Sequence, residues 1–217
     1  MNESTDPLCQ VILFTAPHCA YCPGVSKIFN GLNEQGKLSS YEKFDLSIDS
    51  SLAEKYNIRS VPWFKINDLE FFGSHSASEI EYWVDHSHTN TGILRYIVES
   101  LDAGKLSHIE NLIRTHPYWL PIALGIVSDL NSPIQARIGL AATLEGLAGE
   151  PVLNTILPQL ETLIGDPDHR MRADACHYLG LLSSPKRIEL LTSCLTDPHP
   201  EVRELAEDGL GGLTHAD

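Results

Sequence analysis

The sequence predicts an α/β domain of order β-α-β-α-β-β-α, followed by an all-α solenoid of helical repeats. Three observations carry this reading. Residues 8–85 alternate apolar strand-like runs with segments of helical period. Beyond residue 91 strand signals nearly vanish, and helical segments of 10 to 16 residues are separated by Asn, Ser or Asp-Pro breaks. Inside that helical region a short pattern recurs three times. At 217 residues the chain is long for one small domain and comfortable for two.

Taken in order, Leu8–Thr15 reads as a buried strand built on Val11-Ile12-Leu13-Phe14. Residues 20–35 read as a helix that places Val25, Ile28, Phe29 and Leu32 on one face. Tyr41–Leu46 is a second strand and Ser50–Tyr56 a short helix. Val61–Ile66 and Leu69–Phe72 form a hairpin around Asn67-Asp68, a favourable turn pair. Ser76 or Ser78 caps a further helix carrying Ile80, Trp83 and Val84.

The polar stretch His86-Ser87-His88-Thr89-Asn90-Thr91 is the boundary candidate, so domains are expected over 1–88 and 89–217. In the second, three segments align: 131–140 from Asn131, 166–175 from Asp166 and 197–206 from Asp197, spaced by 35 and then 31 residues. Each has a polar turn, an apolar residue, an Arg (Arg137, Arg172, Arg203) and a small or apolar residue three places later. One such unit cannot bury its own apolar face, but stacked neighbours can. The Asp-Pro and Val/Met-Arg-x-x-Ala elements resemble HEAT repeats of the short bacterial kind over at least residues 131–213, with residues 92–130 as one or two divergent hairpins. The first copy departs from that pattern at Asn131, Ala136 and Leu140.

The net charge of −14 is shared by both halves: 12 acids against 6 Lys and Arg over residues 1–90, and 17 against 9 over residues 91–217. This balance disfavours nucleic acid and anionic membrane surfaces as partners. Met1-Asn2-Glu3-Ser4-Thr5-Asp6 has no basic region or apolar core of a secretory signal, and no stretch approaches the ~20 apolar residues of a membrane span. A cytoplasmic protein is expected, where a close Cys pair is catalytic or metal-binding rather than structural.

Of the five cysteines, only Cys19 and Cys22 are close in sequence. Cys19-Ala20-Tyr21-Cys22 follows a strand and opens a helix, whose unpaired N–H groups and positive dipole end favour a thiolate. Thiolate is the species that attacks a disulfide. Three residues apart on one helix face, the two thiols are close enough to bridge. Cys19, at the helix start, is expected to be exposed and nucleophilic; Cys22, further in, is the resolving thiol. Pro23 is tolerated in the first helical turn.

Together with Ser60-Val61-Pro62 at the start of the third strand, this pair resembles the thioredoxin fold over residues 8–85. The resemblance implies that Pro62, 40 residues after Cys22, is cis and faces the Cys pair, and that Val61 offers backbone bonds to an incoming peptide. Cys-x-x-Cys followed by Pro is similar to the protein disulfide oxidoreductases of archaea and to the thioredoxin-like domain of flavin-linked peroxiredoxin reductases. Tyr21 before the second Cys is shared with glutaredoxins. Two positions depart from ordinary thioredoxins: His18 stands where they carry Trp, and Leu13 where they carry a buried Asp. Phe72-Gly73-Ser74-His75 does not match the Gly-Gly and acid with which glutaredoxins bind glutathione.

The plainer readings are these. A structural zinc site needs four ligands, and no second Cys-x-x-Cys exists. His18 either stabilises the Cys19 thiolate when protonated or is an exposed loop residue. His75, His86 and His88 are solvated loop and linker histidines, or join the thiols around a metal. Cys9, Cys176 and Cys194 are small core hydrophobes. Arg137, Arg172 and Arg203 pair with turn acids such as Asp166 and Asp197 as a structural ladder. Tyr118 and Trp119 are a binding patch or a core corner.

The expectation is a thiol–disulfide oxidoreductase of the protein-disulfide reductase kind. Cys19 and Cys22 are its catalytic residues, and Val61, Pro62, Tyr21 and His18 its substrate-binding residues. It needs no cofactor beyond the Cys19–Cys22 disulfide, and no metal. Its partners are a protein with a disulfide or reactive thiol, recruited by the repeats, and a redox partner reductase. The alternatives are an interaction scaffold with a regulatory or degenerate thioredoxin-like module, and a Cys/His metal-handling protein.

Overall fold

A computed structural model of the chain describes residues 9–129 and 131–211. Leu8, residues 212–213 of the expected repeats and the acidic N-terminal residues lie outside them. The chain divides into two compact units, Met1–Ile93 and Leu94–Asp217.

In the first unit the elements are β1 (Cys9–Thr15), α1 (Cys22–Glu34), β2 (Leu38–Asp45), α2 (Ser51–Lys55), β3 (Trp63–Ile66), β4 (Leu69–Phe72) and α3 (Ala77–His86). The sheet order is β2-β1-β3-β4; β1 and β2 are parallel, the other pairs antiparallel. This connectivity is thioredoxin-like. Alternation along β1 sends its side chains to two cores. Leu13 lies opposite Phe64, and Phe64 meets Phe29 of α1 (ring centroids 5.2 Å) and Phe71, which in turn meets Trp83 of α3. On the other face Phe14 packs with Phe44, Tyr56 and Trp63, at 5.0–5.5 Å.

Several boundaries differ from the sequence expectation for physical reasons. β2 starts at Leu38, three residues early, and ends at Asp45. It is an edge strand, so its ladder to β1 is formed by polar residues such as Ser40, opposite Gln10, that carry no apolar alternation. β3 starts at Trp63 because Pro62 has no N–H to give to a ladder. The Asn67-Asp68 turn has Asn67 at φ 51°, and Asn67 Oδ1 accepts the Gln10 N–H at 3.0 Å. Of the two candidate caps of α3, Ser76 is used, in a reciprocal capping box with Glu79.

Residues 87–89 form the turn after α3, and α4 (Asn90–Asp102) crosses the division between the units. The second unit continues with α5 (Leu106–Thr115), α6 (Trp119–Ala123), α7 (Gly125–Ser128), α8 (Ile134–Gly146), a 3-10 helix (Pro151–Ile156), α9 (Leu157–Leu163), α10 (His169–Leu181), α11 (Lys186–Cys194) and α12 (Pro200–Gly211). Trp119 is fully buried, whereas Tyr118 is exposed. No helix among the described residues is long and apolar enough to cross a membrane.

The repeat turns are built by their aspartates. Asp166 Oδ1 accepts the Asp168 N–H and Asp197 Oδ1 the His199 N–H, both at 2.8 Å. Arg172 ties two turns together: it donates to the Asp166 carbonyl at 2.9 Å and to both Asp197 carboxylate oxygens at 2.7 and 2.9 Å. Arg203 donates to the Asp197 carbonyl at 2.7 Å. Arg137 does not join the ladder and meets Asp174 instead, at 3.8 Å. The first copy's turn explains this. Its aspartate is Asp129, which accepts the Asn131 N–H, and it lies five residues before its helix rather than three.

Candidate functional site

The end of β1 and the start of α1 position the Cys pair. Thr15 closes β1, buried, with its hydroxyl donating to the Phe44 carbonyl. The chain then turns, with the Cys19 N–H donating to the Ala16 carbonyl at 3.4 Å. Helix α1 begins at Cys22, two residues later than the sequence suggested, so Cys19 stands ahead of the helix rather than on it. The helix tolerates Pro23 because its missing N–H belongs to the first turn.

Cys19 and Cys22 form a disulfide with Cα atoms 5.5 Å apart. Tyr21, the residue before the helix, makes no side-chain cap. Cys19 Sγ supplies one, accepting the Cys22 N–H at 3.1 Å. Cys22 is buried, at 4% exposure, whereas Cys19 is half-buried rather than openly exposed. Tyr21 at 62% exposure and His18 stand beside it on the surface. His18 is held at φ 63°, a region that L-residues other than glycine rarely adopt.

Sheet register brings the other sequence-predicted residues to the same end of the fold. Trp63 lies opposite Phe14, so Pro62 and Val61 fall beyond the ladder at the edge from which Thr15 leads into the Cys19 turn. The Val61-Pro62 peptide is cis. The Pro62 carbonyl is occupied by the Gly73 N–H at 2.8 Å. Pro62 is buried and Val61 half-buried. Leu13, in the place of the acid of ordinary thioredoxins, is fully buried in the α1-facing core.

The remaining candidates fall elsewhere. His75 packs edge-on against Phe64 and Phe71, and His86 stacks on Tyr82 with Nδ1 at 2.8 Å from its carbonyl. Neither joins the thiols in a three-ligand group among the described residues. Cys9 is buried, and burial pushes its thiol up to about 11, which keeps it protonated and inert. Cys176 and Cys194 are buried on α10 and α11; the hydrogen bond between them and burial together raise the Cys176 thiol. A group the sequence did not single out is His169, His199 and Glu201, whose ligand atoms lie within 4.8 Å of one another.

Residues 125–211 match the family model for HEAT repeats. Among solved structures the chain is similar to an oxidised thioredoxin from Plasmodium falciparum, determined in solution, at 22% identity. That match covers 37% of this chain and 81% of the thioredoxin, with a TM-score of 0.31. No curated protein matches the chain.

Proposed function

We propose that the protein is a thiol–disulfide oxidoreductase whose helical repeats recruit its protein client. The observation that carries this reading is the asymmetry of the pair: a half-exposed Cys19 whose sulfur accepts the first helical N–H, bridged to a buried Cys22. An accessible, anion-favouring sulfur suits a nucleophile, and a shielded neighbour suits a resolving thiol.

In the reducing direction, the Cys19 thiolate attacks one sulfur of a client disulfide. The client S–S bond breaks, its other sulfur leaves as thiolate, and Cys19 is held in a mixed disulfide. Cys22, deprotonated, then attacks Cys19 Sγ, expels the second client thiolate and closes the Cys19–Cys22 disulfide. Two electrons pass to the client, and a partner reductase must return them. Val61 would hold the client backbone, since the Pro62 carbonyl is already bonded within the fold. Tyr21 and His18 would border the bound segment. The repeats raise the local concentration of one client at the thiols, which an unspecialised reductase does not need.

Trapping tests this. Cys22→Ser should leave clients linked to Cys19 as mixed disulfides, stable until a reductant is added, and Cys19→Ser should not. Equal trapping by both variants, or none by either, would favour the scaffold with a degenerate redox module.

A further inference from the structure

We propose that His169, His199 and Glu201 form a binding site for a divalent transition-metal ion, of the kind represented by Zn2+. The site lies wholly in the repeat unit and is independent of the thiol chemistry. His169 opens α10, and His199 and Glu201 flank the start of α12. His169 Nε2 and His199 Nδ1 are each 3.9 Å from Glu201 Oε2, and the three ligand atoms lie within 4.8 Å of one another. An ion at about 2.0–2.1 Å from each ligand draws tetrahedral donor atoms to about 3.3 Å apart. The closure required is therefore several tenths of an ångström or more, in side chains with room to move: Glu201 is 56% exposed and the two imidazoles 36–39%.

One detail points to a ligand rather than to packing alone. His199 Nδ1 is shielded from solvent and makes no hydrogen bond, although a buried imidazole nitrogen normally has a partner. The two rings stack at 3.7 Å with their planes 26° apart, so one ring must turn before both nitrogens can point at one ion. The other nitrogen of His169, Nδ1, lies 3.9 Å from Asp168 Oδ1, beyond hydrogen-bond reach, and that carboxylate is bonded to the Arg170 guanidinium at 2.6–3.2 Å. Two neutral imidazoles and one carboxylate suit a borderline ion such as Zn2+, and solvent can take the fourth position. The positive ends of α10 and α12 oppose a cation here. The Glu201 carboxylate offsets them, Asp168 being paired with Arg170.

The test is calorimetric titration of the full chain with Zn2+, with Cys19–Cys22 oxidised so that those thiols cannot bind it. The expected result is one ion per chain, with affinity lowered at least about tenfold in both His199→Ala and Glu201→Gln. The His169 and His199 imidazole signals should shift in NMR spectra during the titration. No saturable binding overturns the proposal. So does binding that either variant retains within about twofold, since loss of a true ligand costs at least as much as loss of its support. Glu201 is an exposed side chain, so its variant tests the site without threatening the fold.

Discussion

The peptide N–H of Cys22 donates to Sγ of Cys19 over 3.1 Å, so helix α1 opens on a sulfur where helices usually open on a side-chain oxygen. The same bond, and the positive end of the helix behind it, would favour a negative charge on that sulfur once the disulfide is reduced. Reduced Cys19 is therefore expected to titrate below the ordinary ~8.5 of a free thiol. Alkylation rate against pH reads this directly, and Cys22 should stay nearly unreactive because it is buried. A midpoint at the ordinary value would remove the physical basis for Cys19 as nucleophile.

His18, immediately before Cys19, holds φ 63°. Left-handed backbone costs an L-residue about 1–2 kcal/mol, and a β-branched residue more. His18→Gly should leave thermal stability unchanged or raise it by up to about 1 kcal/mol, whereas His18→Val should lower it by about 1–2 kcal/mol. If the two variants melt alike, the conformation at this position contributes no strain.

Arg172 and Asp197 are 13% and 10% exposed and bonded through both carboxylate oxygens. The Arg172 guanidinium holds the Asp197 carboxyl below its ordinary 3.8, with the His199 N–H adding to it. A carboxyl lowered in the folded state contributes stability that is complete above 3.8 and lost as pH falls through the folded value. Asp197→Asn should thus melt below the parent chain near neutral pH, and the gap should narrow as pH falls below about 4. A gap independent of pH would place the effect in packing instead.

Helices α10 and α12 approach through two glycines. A Cβ on Gly180 would lie 3.1 Å from Gly209 Cα, while one on Gly31 of α1 would meet nothing within 4 Å. Alanine gains up to about 1 kcal/mol over glycine inside a helix, and overpacking costs about 1–3 kcal/mol. Gly31→Ala should stabilise the protein in chemical denaturation, and Gly180→Ala should destabilise it by up to about 2 kcal/mol. Equal gains at both sites would mean that the two helices can separate without cost.

Much of this molecule is legible from local pattern. The run Val11-Ile12-Leu13-Phe14, the turn pair Asn67-Asp68 and the cap Ser76 are each defined by residues within a few positions of one another. The limits appear where a partner is distant. Ser40 belongs to a strand only because Gln10 of β1 lies beside it. Arg137 carries the repeat's arginine, yet a turn two residues longer directs it to Asp174.

The order of elements, the repeat and the two thiols at a strand-to-helix junction follow from the chain alone, because periodicity, caps and spacing are properties of neighbouring residues. Which thiol is shielded depends on packing: Cys22 is buried, whereas Cys19, three residues earlier, is half-buried. Packing also joins His169 to His199 and Glu201, 30 and 32 residues on, because stacking of α10 and α12 brings their starts together. No spacing along the chain encodes that contact; the seating of one repeat on the next creates it.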